Sequence, residues 1–450
     1  MDIMDKSPRS IALHILNRID RDNAFAEPLL DSFLSRGYLD NIHDQRLLTQ
    51  LVYGTLRMRN HLDWIIHHFY RGRPASMDGT VKNILRTALY QILFMDRIPH
   101  FAAVNEAVTL VGKYFPGREG LVNGILRNAI RKMNEIAYPD ITTEPALHIS
   151  VVHSHPRWMV ERWIGHLGTE ETHALCSGNN GVPPRALRVN ALKTTRDEAL
   201  RHLRDEGYAA DPAHYFRDGI LLTGPSGPFK TMGLFRAGHI QVQDEASQLI
   251  SCLVDPKQGD TIADLCCGSG IKATHLAEMM HNTGKIVACD ISQKKTGILR
   301  ELCRRLGTTN IEPIVGDAAT DLGAQYHETF DRVLVDAPCS GTGTLRRNPE
   351  IKWRLREADI KKCSLLQKNI LHSSARYPKK GGALVYSTCS LEREENEDVV
   401  REFLRTHHDY VLSDLPSAID GTMVTGEGFF RTFPHHHGTD GFFGAILKRQ

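Results

Sequence analysis

No stretch of the 450-residue chain approaches the ~18 uninterrupted apolar residues that a membrane-spanning helix needs. Met1-Asp2-Ile3-Met4-Asp5-Lys6 is charged and runs into a helical pattern, so neither a signal nor a transit peptide is expected there, and a cytoplasmic location is expected with it. An excess of one charge is missing too. The formal net charge is +2, which neither demands nor excludes nucleic acid, because a basic footprint is a matter of distribution. The nine cysteines are odd in number and thinly spread, which fits a reducing compartment better than a disulfide framework. Cys266 and Cys267 are adjacent and lack the C-x-x-C spacing of a zinc site, so no metal is expected. Internal repeats are absent, and His435-His436-His437 is the one biased run. What remains is ordinary globular composition, 41% hydrophobic and 24% charged, at a length for two or three domains.

Three patterns divide the chain. Residues 7–133 repeat apolar positions at three- and four-residue spacing, as in Ile11-Ala12-Leu13-His14-Ile15-Leu16, and predict an all-α domain of about seven helices. From 139 to 238 the elements are short and mixed. A helix near Pro156–Trp163, a strand at 186–190, a helix at 195–206 and turns at Asp218-Gly219 and 224–227 read as a small α+β module. From 239 to 450 strands alternate with helices. Strand candidates at 261–265, 285–290, 311–315, 332–336, 382–386 and 443–447 call for a mainly parallel sheet covered by helices on both faces. The expected domains are therefore 1–138, 139–238 and 239–450.

The chemistry gathers in two stretches of the last domain. Leu334-Val335-Asp336-Ala337-Pro338-Cys339-Ser340-Gly341-Thr342-Gly343 and Tyr386-Ser387-Thr388-Cys389-Ser390 each leave a strand for a short polar loop that carries a thiol. In an open α/β sheet the ligand crevice lies outside the carboxyl ends of the strands. If the two strands are neighbours, about 4.8 Å apart, both thiols face one crevice with Asp336 beside them. Free cysteines more often pack as small apolar residues. That reading suits Cys176, Cys252, Cys289, Cys303 and Cys363, but not a thiol between Pro338 and a Ser-Gly-Thr-Gly run.

Asp264-Leu265-Cys266-Cys267-Gly268-Ser269-Gly270 follows the first strand of this domain and precedes a helix near Lys272, which makes a glycine turn of the nucleotide-binding kind. A lone G-x-G is weak, and a packing turn would explain it equally. Asp290, Asp317 and Asp336 add carboxylates at successive strand ends. A dinucleotide would ask for a third glycine where Lys272-Ala273 stands, so S-adenosylmethionine is the better fit. Arg346, Arg347, Lys352, Arg354, Arg356, Lys361 and Lys362 form a basic cluster after the first thiol loop, against Glu350, Glu357 and Asp359. The later members read equally as a solvated helix face.

Two resemblances sharpen these readings. Asp44-Gln45-Arg46 with Leu51-Val52-Tyr53-Gly54-Thr55-Leu56-Arg57, then Leu85-Arg86-Thr87-Ala88-Leu89-Tyr90-Gln91-Ile92, Val104-Asn105-Glu106-Ala107-Val108 and Leu121-Val122-Asn123-Gly124-Ile125-Leu126-Arg127 resemble the NusB RNA-binding domain. The two thiol loops, Glu395-Asn396-Glu397 and the terminal Asp440-Gly441-Phe442-Phe443 resemble the RNA cytosine-C5 methyltransferases of the RsmB (Sun/Fmu) type. Against the family's usual D-L-C-A-A-P-G-G-K-T, Ser269, Ile271 and Ala273 depart from the pattern, while Gly270 and Lys272 keep it.

The resemblance implies a Rossmann-like S-adenosylmethionine methyltransferase domain behind an all-α NusB-like domain and the small module, acting on small-subunit ribosomal RNA. It implies Cys389 as nucleophile, Cys339 as the residue that assists release, and Asp336 on the base edge. The cofactor would lie on Cys266, Cys267, Gly268, Ser269, Gly270, Ile271, Lys272, Asp290, Asp317 and Asp336. Arg346 and Arg347, in a mobile basic loop, would hold RNA phosphates. Two alternatives stay open at this point: a non-catalytic RNA-binding or ribosome-assembly factor on a methyltransferase scaffold, and the same reaction on transfer RNA.

Overall fold

The computed structural model describes residues 6–73, 76–223 and 229–450. It divides into two compact units, Met1–Val182 with Leu345–Leu355, and Pro183–Thr344 with Arg356–Gln450. The division falls inside the expected middle module. The expected turn at 224–227 lies outside the described residues.

Among the described residues of the first unit, seven helices form the bundle: α1 (Pro8–Asp22), α2 (Ala26–Ser35), α3 (Ile42–Arg57), α4 (Arg59–Phe69), α5 (Gly79–Phe94), α6 (His100–Tyr114) and α7 (Glu119–Lys132). The number matches the expected one. Their starts follow capping chemistry. The Ser7 hydroxyl accepts from Ser10 N with Pro8 at the first position of α1, and Asp78 accepts from Thr80 N at 2.7 Å to open α5. The apolar stripes of these helices meet in one core that includes Leu13, Leu48, Leu51, Leu85, Leu89 and Leu126, each contributing roughly 1.5–3 kcal/mol of burial. Three more helices follow: α8 (Pro145–Val152), α9 (Arg157–Leu167) and α10 (Thr169–Asn179).

The distant segment Leu345–Leu355 belongs to this unit and acts as a strap. Glu350 Oε1 accepts from Ala26 N at 3.0 Å, which caps the amino end of α2. Arg57 Nη2 donates to the Arg346 carbonyl at 3.1 Å, and the Trp353 indole donates to Leu56 O at 2.7 Å. Lys352 is 1% exposed, and its ammonium donates to the carbonyls of Arg57 (2.9 Å) and Ser154 (2.8 Å) and to Asn180 Oδ1 (3.2 Å). Burial lowers the Lys352 pKa well below the ordinary lysine value, and Arg57 lowers it further.

The second unit begins with β1 (Arg185–Val189), α11 (Arg196–Asp205), β2 (Ala209–Pro212), β3 (Gly219–Thr223), α12 (Gly233–Arg236) and β4 (Ile240–Val242). The strands form an antiparallel sheet in the order β2-β3-β1-β4. A capping box between Thr195 and Glu198 starts α11.

The chain then runs α13 (Glu245–Val254), β5 (Thr261–Asp264), α14 (Ile271–Met279), β6 (Lys285–Asp290), α15 (Gln293–Leu306), β7 (Ile311–Val315) and β8 (Phe330–Asp336). Past α16 (Ile351–Arg354) in the strap come α17 (Glu357–Ser374), β9 (Pro378–Thr388), α18 (Glu397–Thr406), β10 (Tyr410–Ser413), β11 (Phe430–Arg431), α19 (Pro434–His437) and β12 (Phe443–Arg449). The sheet order is β10-β12-β9-β8-β5-β6-β7, with β11 pairing β12. Strands β5 to β9 are mutually parallel, and β10, β11 and β12 add an antiparallel edge.

Side chains alternate across the sheet with the period of two that a strand imposes. Ile262, Ile286, Leu334 and Val385 face the core with α13 and α14, while Ala263, Val287, Val333 and Leu384 face the core with α17 and α18. From β5 the chain winds outward to β6 and β7, then returns to the other side of β5 with β8 and β9. Strand order therefore reverses between β5 and β8, and that switch point is where an α/β sheet opens a ligand crevice.

Candidate active site

Five strand ends meet at this crevice. Parallel register sets Asp264 beside Leu334 and Ala288, Asp290 beside Val315, and Asp336 beside Ser387. Cys389 is the first residue beyond β9.

Cys339 Sγ lies 3.3 Å from Cys389 Sγ. The hydrogen bond with Cys389 pushes the Cys339 pKa well above the usual thiol value, and burial adds to it. Cys339 therefore keeps its proton at neutral pH.

The two thiol loops are joined through Glu395, which is fully buried. Its Oε2 accepts from Ser340 N and from Gln367 Nε2, both at 2.9 Å, and its Oε1 accepts from Ser390 Oγ at 2.9 Å. Further bonds run from Gly343 N to Cys389 O (2.9 Å) and from Leu391 N to Thr342 Oγ1 (2.9 Å). Gly343 packs so closely on Gly441 and Cys389 O that a Cβ would have no room. Gly441 N in turn donates to Gly343 O at 2.8 Å, which is where the terminal Asp440-Gly441 enters the site.

Beside the thiols, Lys272 Nζ donates to Asp336 Oδ2 at 2.6 Å, and Ser387 Oγ donates to Asp336 Oδ1 at 2.8 Å. Burial opposes charge on Lys272, but Asp336, with Cys389 and Asp264, outweighs it and raises the lysine pKa. Below this pair lies Asp264, 0% exposed, neither of whose oxygens accepts a well-formed hydrogen bond. Desolvation and then the Asp336 charge raise its pKa from 3.8 to about 7, against the opposing pull of Lys272 and the nearby Cys266 amide.

The glycine turn occupies the end of β5. Gly270 has φ +87°, and a side chain there would strike Leu299. Gly268 donates its N–H to Asp290 Oδ2 at 3.0 Å, and the space where its side chain would stand is open. Asp290 also accepts from Ser292 N (2.9 Å) and Lys295 Nζ (3.3 Å). Asp317, beyond β7, is exposed and accepts from Ala319 N at 2.9 Å. Burial, followed by Asp264, raises the Cys266 and Cys267 pKa values, so both remain thiols. Where Ile271 replaces the usual glycine, its carbonyl accepts from Arg188 Nη1 at 2.9 Å.

Cys339, Cys389, Asp336 and Lys272 are thus brought together, as are Gly268 and Asp290. Arg346 and Arg347 belong to the other compact unit. They lie in the strap within the helical unit, and Arg346 is 5% exposed, too buried to lie on a mobile basic loop. Lys352, grouped with them as a surface cation, is fully buried for the same reason: the strap packs into the bundle. Sequence reasoning missed Glu395 as a bridge between the loops, although it lay inside a motif already singled out. It also missed Arg188, fully buried and paired with Glu278 at 2.8 Å, because a lone arginine in a strand carries no signal of its partner. Ile291 and Val315 were missed as well. They are 70% and 56% exposed and stand next to the carboxylate-bearing ends of β6 and β7, as an apolar ring of a ligand would require.

A switch-point crevice with a glycine turn and carboxylates on successive strands defines a domain that binds a nucleoside cofactor. The family model described as 16S rRNA methyltransferase RsmB/F matches residues 251–448, the NusB family model residues 6–131, and the ferredoxin-like domain of the RsmF/B-like methyltransferases residues 155–228. A relative in Bacillus subtilis (strain 168) named probable ribosomal RNA small subunit methyltransferase B is 33% identical over 99% of each chain. Ribosomal RNA small subunit methyltransferase B of Serratia proteamaculans (strain 568) is 34% identical over 90% of each chain. The crystal structure of a methyltransferase homolog protein from Pyrococcus horikoshii superposes with a TM-score of 0.59 at 28% identity, covering 68% of this chain and 99% of that one. The chain belongs to the RsmB family of methyltransferases. Its cofactor is S-adenosylmethionine, for which the open turn at Gly268, the carboxylates of Asp290 and Asp317 and the apolar Ile291 and Val315 suit a ribose, an amino group and a purine ring.

Proposed function

We propose that the protein methylates C5 of a cytosine in small-subunit ribosomal RNA through a covalent adduct of Cys389 at C6. The observation that carries this reading is the 3.3 Å approach of Cys339 and Cys389, with the Lys272–Asp336 pair at the same strand ends. A scaffold that only bound RNA would have no use for two thiols held so closely. The ribosomal substrate is supported by the names of the relatives and by the NusB match.

C5 of cytosine is a poor nucleophile until a soft nucleophile adds to C6, and a thiolate is suited to that addition. Cys389 forms the S–C6 bond, and the electrons of the C5–C6 double bond move into the ring. Asp336, held by Lys272 and Ser387, faces the base edge at N3 and the exocyclic amine and stabilises the enamine that results. S-adenosylmethionine, when bound, supplies an electrophilic methyl group. C5 takes that group, a base removes the C5 proton, and the S–C6 bond breaks to restore the ring and release Cys389. Cys339 lies where it can move a proton in this last step. The base must be splayed out of its stack to reach the crevice.

The test separates the two thiols. Cys339→Ala should lack turnover yet hold RNA as a denaturation-resistant adduct, seen as a shifted band on a denaturing gel. Cys389→Ala should lack turnover and show no band. The reverse pattern exchanges the roles, and an adduct in neither variant rules against covalent catalysis.

A further inference from the structure

The helical unit contains a cleft of about 230 Å³ lined by Arg59, Lys82, Arg86, Trp353 and Arg354, with Asp20 on one wall. One water needs only ~10–15 Å³ of such space, so the cleft holds a much larger group. Gly79, Lys82 and Arg86 also line it, at a spacing that puts them on one face of α5. Gly79 is the first residue of that 16-residue helix, whose amino end is capped by the Asp78 side chain. Trp353 and Arg354 are contributed by the strap.

The carboxylates of this region pair with two of the four cations in the lining. Asp20 pairs with Arg59 at 2.8 Å and lies 3.7 Å from Arg86, and Asp63 pairs with Arg86 at 2.6 Å. The Lys82 ammonium has no ion pair or hydrogen bond among the described residues. The Arg354 guanidinium rests 4.2 Å over the Phe25 ring, and its Nη1, although buried, has no acceptor. Glu350, the acid near Arg354, caps the amino end of α2 through Oε1, while its buried Oε2 has no hydrogen-bond partner. Arg354 lines the roomy cleft beside the uncommitted ammonium of Lys82. An anion with several acceptor oxygens answers both cations.

We propose that this cleft binds a backbone phosphate of the substrate RNA, with Lys82 and Arg354 as its principal contacts and the paired Arg59 and Arg86 as its walls. This rests on the reading that the protein acts on RNA. Little in the lining reads a base, so the contact is independent of sequence and positions the strand.

The experiment measures binding of protein-free small-subunit ribosomal RNA to the full-length protein between 50 and 300 mM salt. Each phosphate contact contributes ~0.7–0.9 to the slope of log K against log salt. Lys82→Ala and Arg354→Ala should each make the slope shallower by that amount and weaken binding roughly five- to eightfold at 0.1 M salt. Lys82→Arg should restore both, while melting temperature and S-adenosylmethionine affinity stay unchanged in the Lys82 variants. An unchanged slope in Lys82→Ala overturns the proposal. So does a loss of inorganic phosphate binding in the variants without a change in the RNA slope, which would make the cleft a free-anion site. If the wild-type protein transfers no methyl group to ribosomal RNA, the underlying reading fails instead, and takes this inference with it.

Discussion

Asp264→Asn should stabilise the catalytic unit at alkaline pH and leave it unaltered at acid pH. Asp264 is 0% exposed, and its folded pKa is about 7 against 3.8 in the absence of the fold. Because the folded value is the higher one, the folded protein binds the proton more tightly. Its stability contribution is fully present below pH 3.8 and is lost as pH rises through about 7. A difference of about three units corresponds to ~4 kcal/mol at 1.36 kcal/mol per unit. Asparagine keeps the shape and cannot ionise, so the variant should not show this loss. The assay is thermal unfolding of both proteins from pH 4 to 9, following the transition of the catalytic unit. The variant should gain on the wild type by up to ~4 kcal/mol, or roughly 2–4 °C for each kcal/mol in a unit of this size, with the gain building between pH 3.8 and about 7 and centred midway between them. Asp336→Asn removes the second cause of the shift and should move that centre to lower pH. A difference between wild type and Asp264→Asn that stays flat across the range refutes the reasoning.

Asp290→Ala should weaken S-adenosylmethionine binding by ~1.5–3 kcal/mol, the loss of a hydrogen bond to a charged group. Part of that loss comes through Gly268, whose N–H Asp290 holds at 3.0 Å, and an unchanged dissociation constant by calorimetry contradicts it. Arg188→Met leaves Glu278, 2% exposed, without its partner and should cost about 3–5 kcal/mol in urea unfolding. The double variant Arg188→Met/Glu278→Leu should recover most of that cost; equal destabilisation of the single and double variants would place the cost elsewhere.

The local patterns were legible in the sequence because they obey short-range physics. The strands at 285–290 and 311–315 coincide with β6 and β7, since a run of β-formers ending in Asp290 or in a Val-Gly-Asp turn needs no distant partner to declare itself. The thiol loops were legible for the same reason: Pro338 and Gly343 break the strand within a few residues. Long-range matters were decided only in three dimensions. That Cys339 and Cys389 come within 3.3 Å depends on β8 and β9 being neighbours. That Glu395 joins their loops depends on where the turn before α18 falls, which no periodicity encodes.

The basic cluster shows the limit most plainly. Seven cations near one loop look alike in sequence, because each is simply a long charged side chain. Packing of the strap into the helical bundle buries Arg346 and Lys352, gives the Lys352 ammonium the carbonyls of Arg57 and Ser154, and leaves Arg354 lining a cleft. Composition determined that these residues are charged. Which of them meets water, a carbonyl or a ligand was decided by desolvation, and desolvation depends on neighbours hundreds of residues away.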